Sequence, residues 1–157
     1  MALRLYLDTN VLCRPFDDQT IGRIRRETEA FERILDKIIQ DEVALVVSEI
    51  LVFELRGIVS PDKRAKASGY LHLAKDHHDM TEETLGLARR VVERFKLQPR
   101  DALHVASALL AESSYFLTCD DGITKRFKKR SLSASIGIQR RTLRVLNPVD
   151  FIGEMQW

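Results

Sequence analysis

The sequence predicts an α/β fold in which a mainly parallel sheet is covered by helices on both faces. Two patterns carry that reading. Short, nearly continuous apolar runs recur at Leu3 to Leu7, Val43 to Val47, Tyr115 to Thr118 and Leu143 to Leu146, the signature of strands buried on both sides. Between them lie longer stretches whose apolar residues return at i, i+3 and i+4, the spacing of one helix face. Strands and helices that alternate along a chain pack as α/β layers.

Taken in order, Leu3 to Leu7 is a short strand that stops at Asp8. Ile21 to Gln40 reads as a helix whose stripe is Ile24, Phe31, Ile34, Leu35 and Ile38. Val43 to Val47, mostly β-branched, is a central parallel strand. Ser48 caps the next helix, which carries Ile50, Leu51, Phe53 and Glu54 and ends near Gly57. Pro61 opens a helix expected to run towards His77, although its face is mixed. Asp79 or Thr81 caps another, with Glu82 and Glu83 in the first turn, where the helix dipole favours anions. Pro99 starts a helix with Ala102, Val105, Ala106, Leu109 and Leu110 in register. Tyr115 to Thr118 is a strand leading to Asp120, Leu143 to Leu146 is the last strand, and Pro148 opens a short terminal helix.

A chain of 157 residues with no repeat, low-complexity stretch or Pro/Gly-rich linker is expected to form a single domain over residues 1–157. Hydrophobic residues at 45% and charged residues at 31% exclude a disordered or fibrous protein. The formal net charge of +2 is too mild to mark a nucleic-acid binder by its sum alone. Cys13 and Cys119 are too few for a disulfide framework and lack zinc-site spacing; they read as partly buried thiols in a reducing cytoplasm, with a redox role as the other reading. Arg4 and Asp8 come too early for a signal peptide, and no apolar run approaches the roughly 20 residues that cross a bilayer. A cytoplasmic location without membrane association is expected.

The candidate chemistry lies in the carboxylates. In an open parallel sheet, functional groups gather at the carboxyl ends of the strands. Asp8 and Asp120 each follow an expected strand, Asp101 sits in the first turn after Pro99, and Glu54 lies on the helix leaving the second strand. Carboxylates brought together repel and raise one another's pKa. A divalent cation relieves that, and hard oxygen ligands suit Mg²⁺ or Mn²⁺. Such a cation can activate water and offset charge at phosphorus, which makes a metal nuclease; no convincing serine or cysteine triad competes. Taken one at a time, each acid also has a plain structural reading as a turn, cap or solvated helix residue.

These residues resemble, in order, the segments of the PIN-domain nuclease family. Tyr-Leu-Asp8-Thr9-Asn10-Val-Leu is similar to its opening strand and first acid, and Ser48 to Glu54 to the helix bearing the second. Arg100-Asp101-Ala-Leu-His-Val-Ala resembles the third segment, Phe116-Leu-Thr118-Cys-Asp120-Asp121 the fourth, and Val145-Leu-Asn-Pro-Val-Asp-Phe-Ile the closing strand and helix. The resemblance implies a three-layer α/β/α sandwich and Mg²⁺- or Mn²⁺-dependent hydrolysis of single-stranded RNA by an endoribonuclease. Asp8, Glu54, Asp101 and Asp120 would be the metal-binding and catalytic acids, with Asn10 and Thr118 orienting them. Many small members resemble VapC-type toxins, which form homodimers and are silenced by an antitoxin protein. The polar stretch Cys13 to Thr20 and the long helical region from Pro61 to Phe95 depart from compact toxins. A catalytically silent PIN module that binds RNA or a protein partner is the alternative. A phosphatase of haloacid-dehalogenase type would want an aspartate where Asn10 stands.

Further residues are weaker candidates. Arg14 and Arg100 lie near the acids in sequence, and Lys125 and Arg126 begin a basic stretch continuing through Lys128, Lys129 and Arg130 to Arg140, Arg141 and Arg144; these could contact phosphate, or simply form a solvated face. Asp121 is a possible fifth acid or a turn residue before Gly122. Glu49 lies about 140° around the helix from Glu54, so the two are not expected to share a ligand. His104, one turn after Asp101, is expected to be packed and hydrogen-bonded, or else to face the cleft. His77-His78 reads as a solvated helix end.

Overall fold

The computed structural model describes residues 3–128 and 130–157. Leu3–Leu7 forms β1, with Leu5, Tyr6 and Leu7 fully buried. Asp8 then caps a five-residue helix, α1 (Thr9–Cys13), and one 3-10 turn leads into α2 (Gly22–Ile39). The buried face of α2 is Glu27, Thr28, Ala30, Phe31, Ile34 and Ile38; of the expected stripe, Phe31, Ile34 and Ile38 are buried and Ile24 and Leu35 half-buried. β2 (Val43–Ser48) follows, then α3 (Glu49–Arg56), whose Leu51 N–H donates to Ser48 Oγ. After α4 (Pro61–Gly69) come β3 (Ala74–His78) and α5 (Glu82–Phe95), capped reciprocally by Thr81 and Thr84. Then follow α6 (Pro99–Leu110), β4 (Tyr115–Leu117), α7 (Asp121–Thr124), β5 (Leu132–Ile136), β6 (Gln139–Leu146) and α8 (Pro148–Met155).

The strands form one six-stranded sheet in the order β3-β2-β1-β4-β6-β5. All neighbours are parallel except the β5–β6 pair. α5 and α6 pack on one face, where His104 meets Tyr6 and Phe116; α2 and α8 pack on the other, where Phe151 meets Tyr115. This is the expected α/β/α sandwich. The chain runs from β1 outward through β2 and β3, then returns to the other side of β1 as β4. The order therefore reverses between β1 and β4, and the crevice beyond their carboxyl ends is where such sheets hold ligands. The Asp8 N–H still donates to Leu117 O at 2.9 Å, so the two strand ends stay joined up to the first acid.

Two segments differ from expectation. The helix opened by Pro61 stops at Gly69; after a 3-10 turn (Tyr70–Leu73), Ala74–His78 is an edge strand and not a helix end. Parallel pairing with β2, Val47 to His77 and Ser48 to His78, satisfies its backbone, and tertiary pairing overrides a polar sequence without strand alternation. His77 and His78 accordingly separate: His77 Nδ1 is 3.1 Å from Asp79 and His78 Nε2 is 2.9 Å from Thr84 Oγ1. The last strand is longer than expected, starting at Gln139, and it forms a hairpin with β5 across Gly137-Ile138. Gly137 has φ +60, a left-handed conformation that glycine adopts without strain. The polar Gln-Arg-Arg-Thr start of β6 conceals the hairpin in the sequence.

Candidate metal centre

Asp8 is buried at 6% exposure and held on both oxygens. Oδ1 accepts from Thr9 N at 2.8 Å; Oδ2 accepts from Thr118 Oγ1 at 2.8 Å and Asn10 Nδ2 at 3.2 Å. Burial pushes its pKa up, while His104, Thr118 and Thr9 hold it back. Asn10 also bridges to β4: its Oδ1 accepts from Cys119 N at 2.9 Å, and its Nδ2 donates to Thr118 Oγ1 at 3.0 Å. Thr118, fully buried, takes a further hydrogen bond from Asp120 N at 3.1 Å. One hydroxyl thus links the acid after β1 to the acid after β4.

Glu54 projects from α3 to meet Thr9 Oγ1 at 2.6 Å and His104 Nε2 at 2.7 Å, both on Oε1. Its Oε2 lies 3.7 Å from Arg100 Nε. Burial raises the Glu54 pKa, but His104, Thr9 and Arg100 outweigh it and the carboxyl sits below its ordinary range. His104 is 1% exposed. Burial pushes its pKa down, and the Glu54 hydrogen bond with the charges of Asp8, Glu54 and Asp101 pushes it up further.

Asp101 occupies the first turn of α6. Burial, reinforced by the charges of Asp8 and Asp120, raises its pKa to about 6. Asp120 is exposed and caps α7, with Oδ1 accepting from Gly122 N at 2.7 Å. A Cβ at Gly122 would come within 2.9 Å of that same oxygen, so a larger residue there would push the Asp120 carboxylate from its place. Asp8, Glu54, Asp101 and Asp120 line one open cleft of about 840 Å³, with Lys63 and Arg100 among the cations on its wall.

The other expected residues fall elsewhere. Arg14 is engaged by Glu27 Oε1 and Asp17 Oδ2, each at 3.0 Å, and does not line the cleft. Lys125 and Arg126 form a 3-10 turn after α7, and Lys125 lines a separate cavity of about 610 Å³ with Lys128, Arg130 and Arg144. Asp121 lines that second cavity and is gripped by Arg23 NH1 and NH2 at 2.6 and 2.7 Å. Glu49 turns away to accept from Met80 N at 2.9 Å. Both cysteines are free and buried; burial raises the Cys13 thiol and pushes Cys119 up to about 12, so neither is a ready thiolate. Nothing in the residue pattern signalled that the Thr9 hydroxyl would reach Glu54 or that Lys63 would reach the cleft. Also unforeseen was the buried Glu27, which accepts from Arg14, Arg23 and Asn147.

The family model of the PIN domain matches residues 5–129, a span holding all four acids. The chain belongs to the PIN domain family. No protein of curated function matches it. Among solved structures, it is similar to VapBC2 from Rickettsia felis bound to a DNA fragment from their promoter. The TM-score is 0.54 and the identity 13%, over 82% of this chain and 93% of that one; at that identity the likeness is one of fold.

PIN domains generally act as nucleases and typically use divalent metals. The residues present fit such a cation. The site is dominated by hard carboxylate oxygens, as Mg²⁺ and Mn²⁺ require. The Asp101 pKa is raised chiefly by burial and further by the charges of Asp8 and Asp120, which a cation would offset. Asp8, Glu54 and His104 each offer an atom, all within 4.8 Å of one another. Among the described residues, no helix of this PIN domain is long and apolar enough to cross a membrane.

Proposed function

We propose that this PIN domain is a Mg²⁺- or Mn²⁺-dependent endoribonuclease that hydrolyses phosphodiester bonds of single-stranded RNA. Asp8, Glu54, Asp101 and Asp120 are its catalytic, metal-holding acids. The observation that carries the reading is the convergence of four acids from distant segments on one cleft at the β1–β4 switch point. A bound divalent cation there supplies Lewis-acid chemistry, lowering the pKa of water and neutralising charge that builds on phosphorus.

The chain's own residues do the rest. Thr118, Asn10 and Thr9 fix the Asp8 carboxylate before anything binds, so little reorganisation is left for the reaction. Arg100 and Lys63, on the cleft wall, attract the phosphate and offset its charge against the acids. Lys125 and its neighbours in the second cavity extend the basic path for the RNA backbone.

The same reading makes the protein a cytoplasmic, single-domain homodimer and the toxin of a toxin–antitoxin pair, silenced by a protein partner. The fold shared with VapBC2 supports the toxin–antitoxin part of that reading. The test incubates purified protein with single-stranded RNA and Mg²⁺ or Mn²⁺, beside Asp8→Asn and Asp101→Asn. Metal-dependent cleavage that falls at least about a hundredfold in both variants is expected. Binding without cleavage, unchanged by either substitution, would sink the proposal in favour of a silent RNA-binding module.

A further inference from the structure

Every element that brings a buried or half-buried acid to the cleft also carries one member of a buried polar chain. Tyr6 precedes Asp8 on β1, Ser48 caps the helix of Glu54, and His104 lies one turn after Asp101 on α6. Tyr6 Oη sits 2.5 Å from Ser48 Oγ and 2.6 Å from His104 Nδ1, and His104 Nε2 sits 2.7 Å from Glu54 Oε1. Tyr6 and Ser48 are fully buried and His104 is 1% exposed. None of the three lines the cleft.

The two oxygens of Glu54 are used differently. Oε1 is filled by Thr9 and His104, whereas Oε2 has no hydrogen bond among the described residues, Arg100 Nε standing beyond hydrogen-bonding distance at 3.7 Å. Asp8 repeats the pattern, with Oδ2 taking two side-chain donors and Oδ1 one backbone N–H. Glu54 thus has one oxygen fastened to the protein and one without a hydrogen bond, while Asp8, held on both, keeps the greater remaining capacity on Oδ1. For His104 the bonds are self-consistent in a neutral ring. With the ring proton on Nε2, Nε2–H would donate to Glu54, Nδ1 would accept from the Tyr6 hydroxyl and the Tyr6 oxygen from Ser48, whose Oγ accepts from Leu51 N.

We propose that His104 is a positioning residue for the metal centre. It fastens the inner oxygen of Glu54 so that the outer oxygen is presented to the cation, and the Tyr6–Ser48 pair fixes the ring so that β1, α3 and α6 hold Asp8, Glu54 and Asp101 in one mutual geometry. This rests on the reading of the cleft as a divalent-cation site. Partners that orient metal ligands in this way carry about 10- to 100-fold in metal affinity. Direct ligation by His104 is the competing geometry, since its Nε2 lies 3.9 Å from Asp8 Oδ1. Both ring nitrogens, however, are already engaged by Glu54 and Tyr6.

The test measures Mn²⁺ affinity by EPR titration, without RNA, for wild type, His104→Phe, His104→Gln and Tyr6→Phe, alongside the Tm of each metal-free protein. His104→Phe is expected to weaken Mn²⁺ binding about 10- to 100-fold. His104→Gln, which keeps an N–H donor, recovers most of that loss. Pulsed EPR of Mn²⁺ bound to wild type shows no directly coordinated nitrogen. A folded His104→Phe that binds Mn²⁺ within about twofold of wild type would overturn the proposal, and so would a nitrogen coupling on Mn²⁺. Should His104→Phe not fold, Tyr6→Phe decides: an affinity loss of about three- to tenfold is expected, and none overturns the role. A wild type that binds Mn²⁺ but leaves RNA intact would remove the nuclease reading alone, since the affinities still decide His104.

Discussion

The acidic cleft and the basic cavity meet at the start of α7, where Asp120 lines one and Asp121 the other, yet they hold their charges by opposite means. In the cleft, Asp8 is buried and fastened by Thr9, Asn10 and Thr118, all neutral groups that fix position without cancelling charge. In the basic cavity, Lys125 and Lys128 are exposed, and neither forms an ion pair among the described residues. Arg144 is exposed too and forked onto Glu154 at 2.6 and 2.8 Å. A substitution in the cleft should therefore act through geometry, which salt does not screen. One in the basic cavity should act through summed charge, which salt does screen.

That contrast can be broken in three places. The largest effect is expected from Thr118→Val, which keeps the volume but removes the hydroxyl shared by Asp8 and Asp120. Metal affinity and RNA cleavage should fall about 10- to 100-fold together, with the same loss at low and high salt; a loss that disappears in high salt would show that Thr118 acts through charge. A smaller effect is expected from Lys125→Ala with Lys128→Ala. RNA affinity should weaken, and the slope of log affinity against log salt should shrink by about 0.7 for each phosphate no longer neutralised, while cleavage at saturating RNA stays unchanged. An unaltered slope would take this cavity off the RNA path.

The smallest effect concerns Asp101 and is read without substrate. Its pKa of about 6 stands above the ordinary carboxyl value. The metal-free folded chain therefore holds a proton that the unfolded chain releases. Between pH 4 and 6, roughly, stability should fall as pH rises, because the native state binds more protons in that window. A Tm series in chelator should show this slope, flattened in Asp101→Asn, and Mg²⁺ should reverse it. A metal-free slope of the opposite sign would mean that Asp101 is already compensated by cations of the fold.

Asp8, Asp101 and Asp120 were legible in the sequence because each stands after an apolar strand or at a recognisable helix start, whereas Glu54, six residues into α3, rested more on the family resemblance. A side chain at such a junction has its place fixed by the backbone alone. Asn10 and Thr118, within two residues of Asp8 and Asp120, were named through the family resemblance alone. His104 was foreseen as packed and hydrogen-bonded, but its partners were not, since Tyr6 and Glu54 reach it only through the crossing of β1, α3 and α6. Arg14 shows the converse. It lies close to Asp8 in sequence, but the buried carboxylate of Glu27, an acid inserted in an otherwise apolar stripe, draws it away. β3 and the β5–β6 hairpin were missed because edge strands are solvated on one flank and need no apolar alternation.

The hydrogen bond from Thr118 to Asp8 spans 110 residues of sequence. Helices close through near neighbours and form early, whereas a pairing across so long a loop comes late. A nascent chain exposes Asp8 and Glu54 long before β4 exists to receive them. Until β4 takes its place beside β1, Asp8 lacks the hydroxyl that orients it and Asp120 has no place in the cleft. The geometry of this cleft is thereby withheld during synthesis, and its four acids share one site only once the sheet has closed.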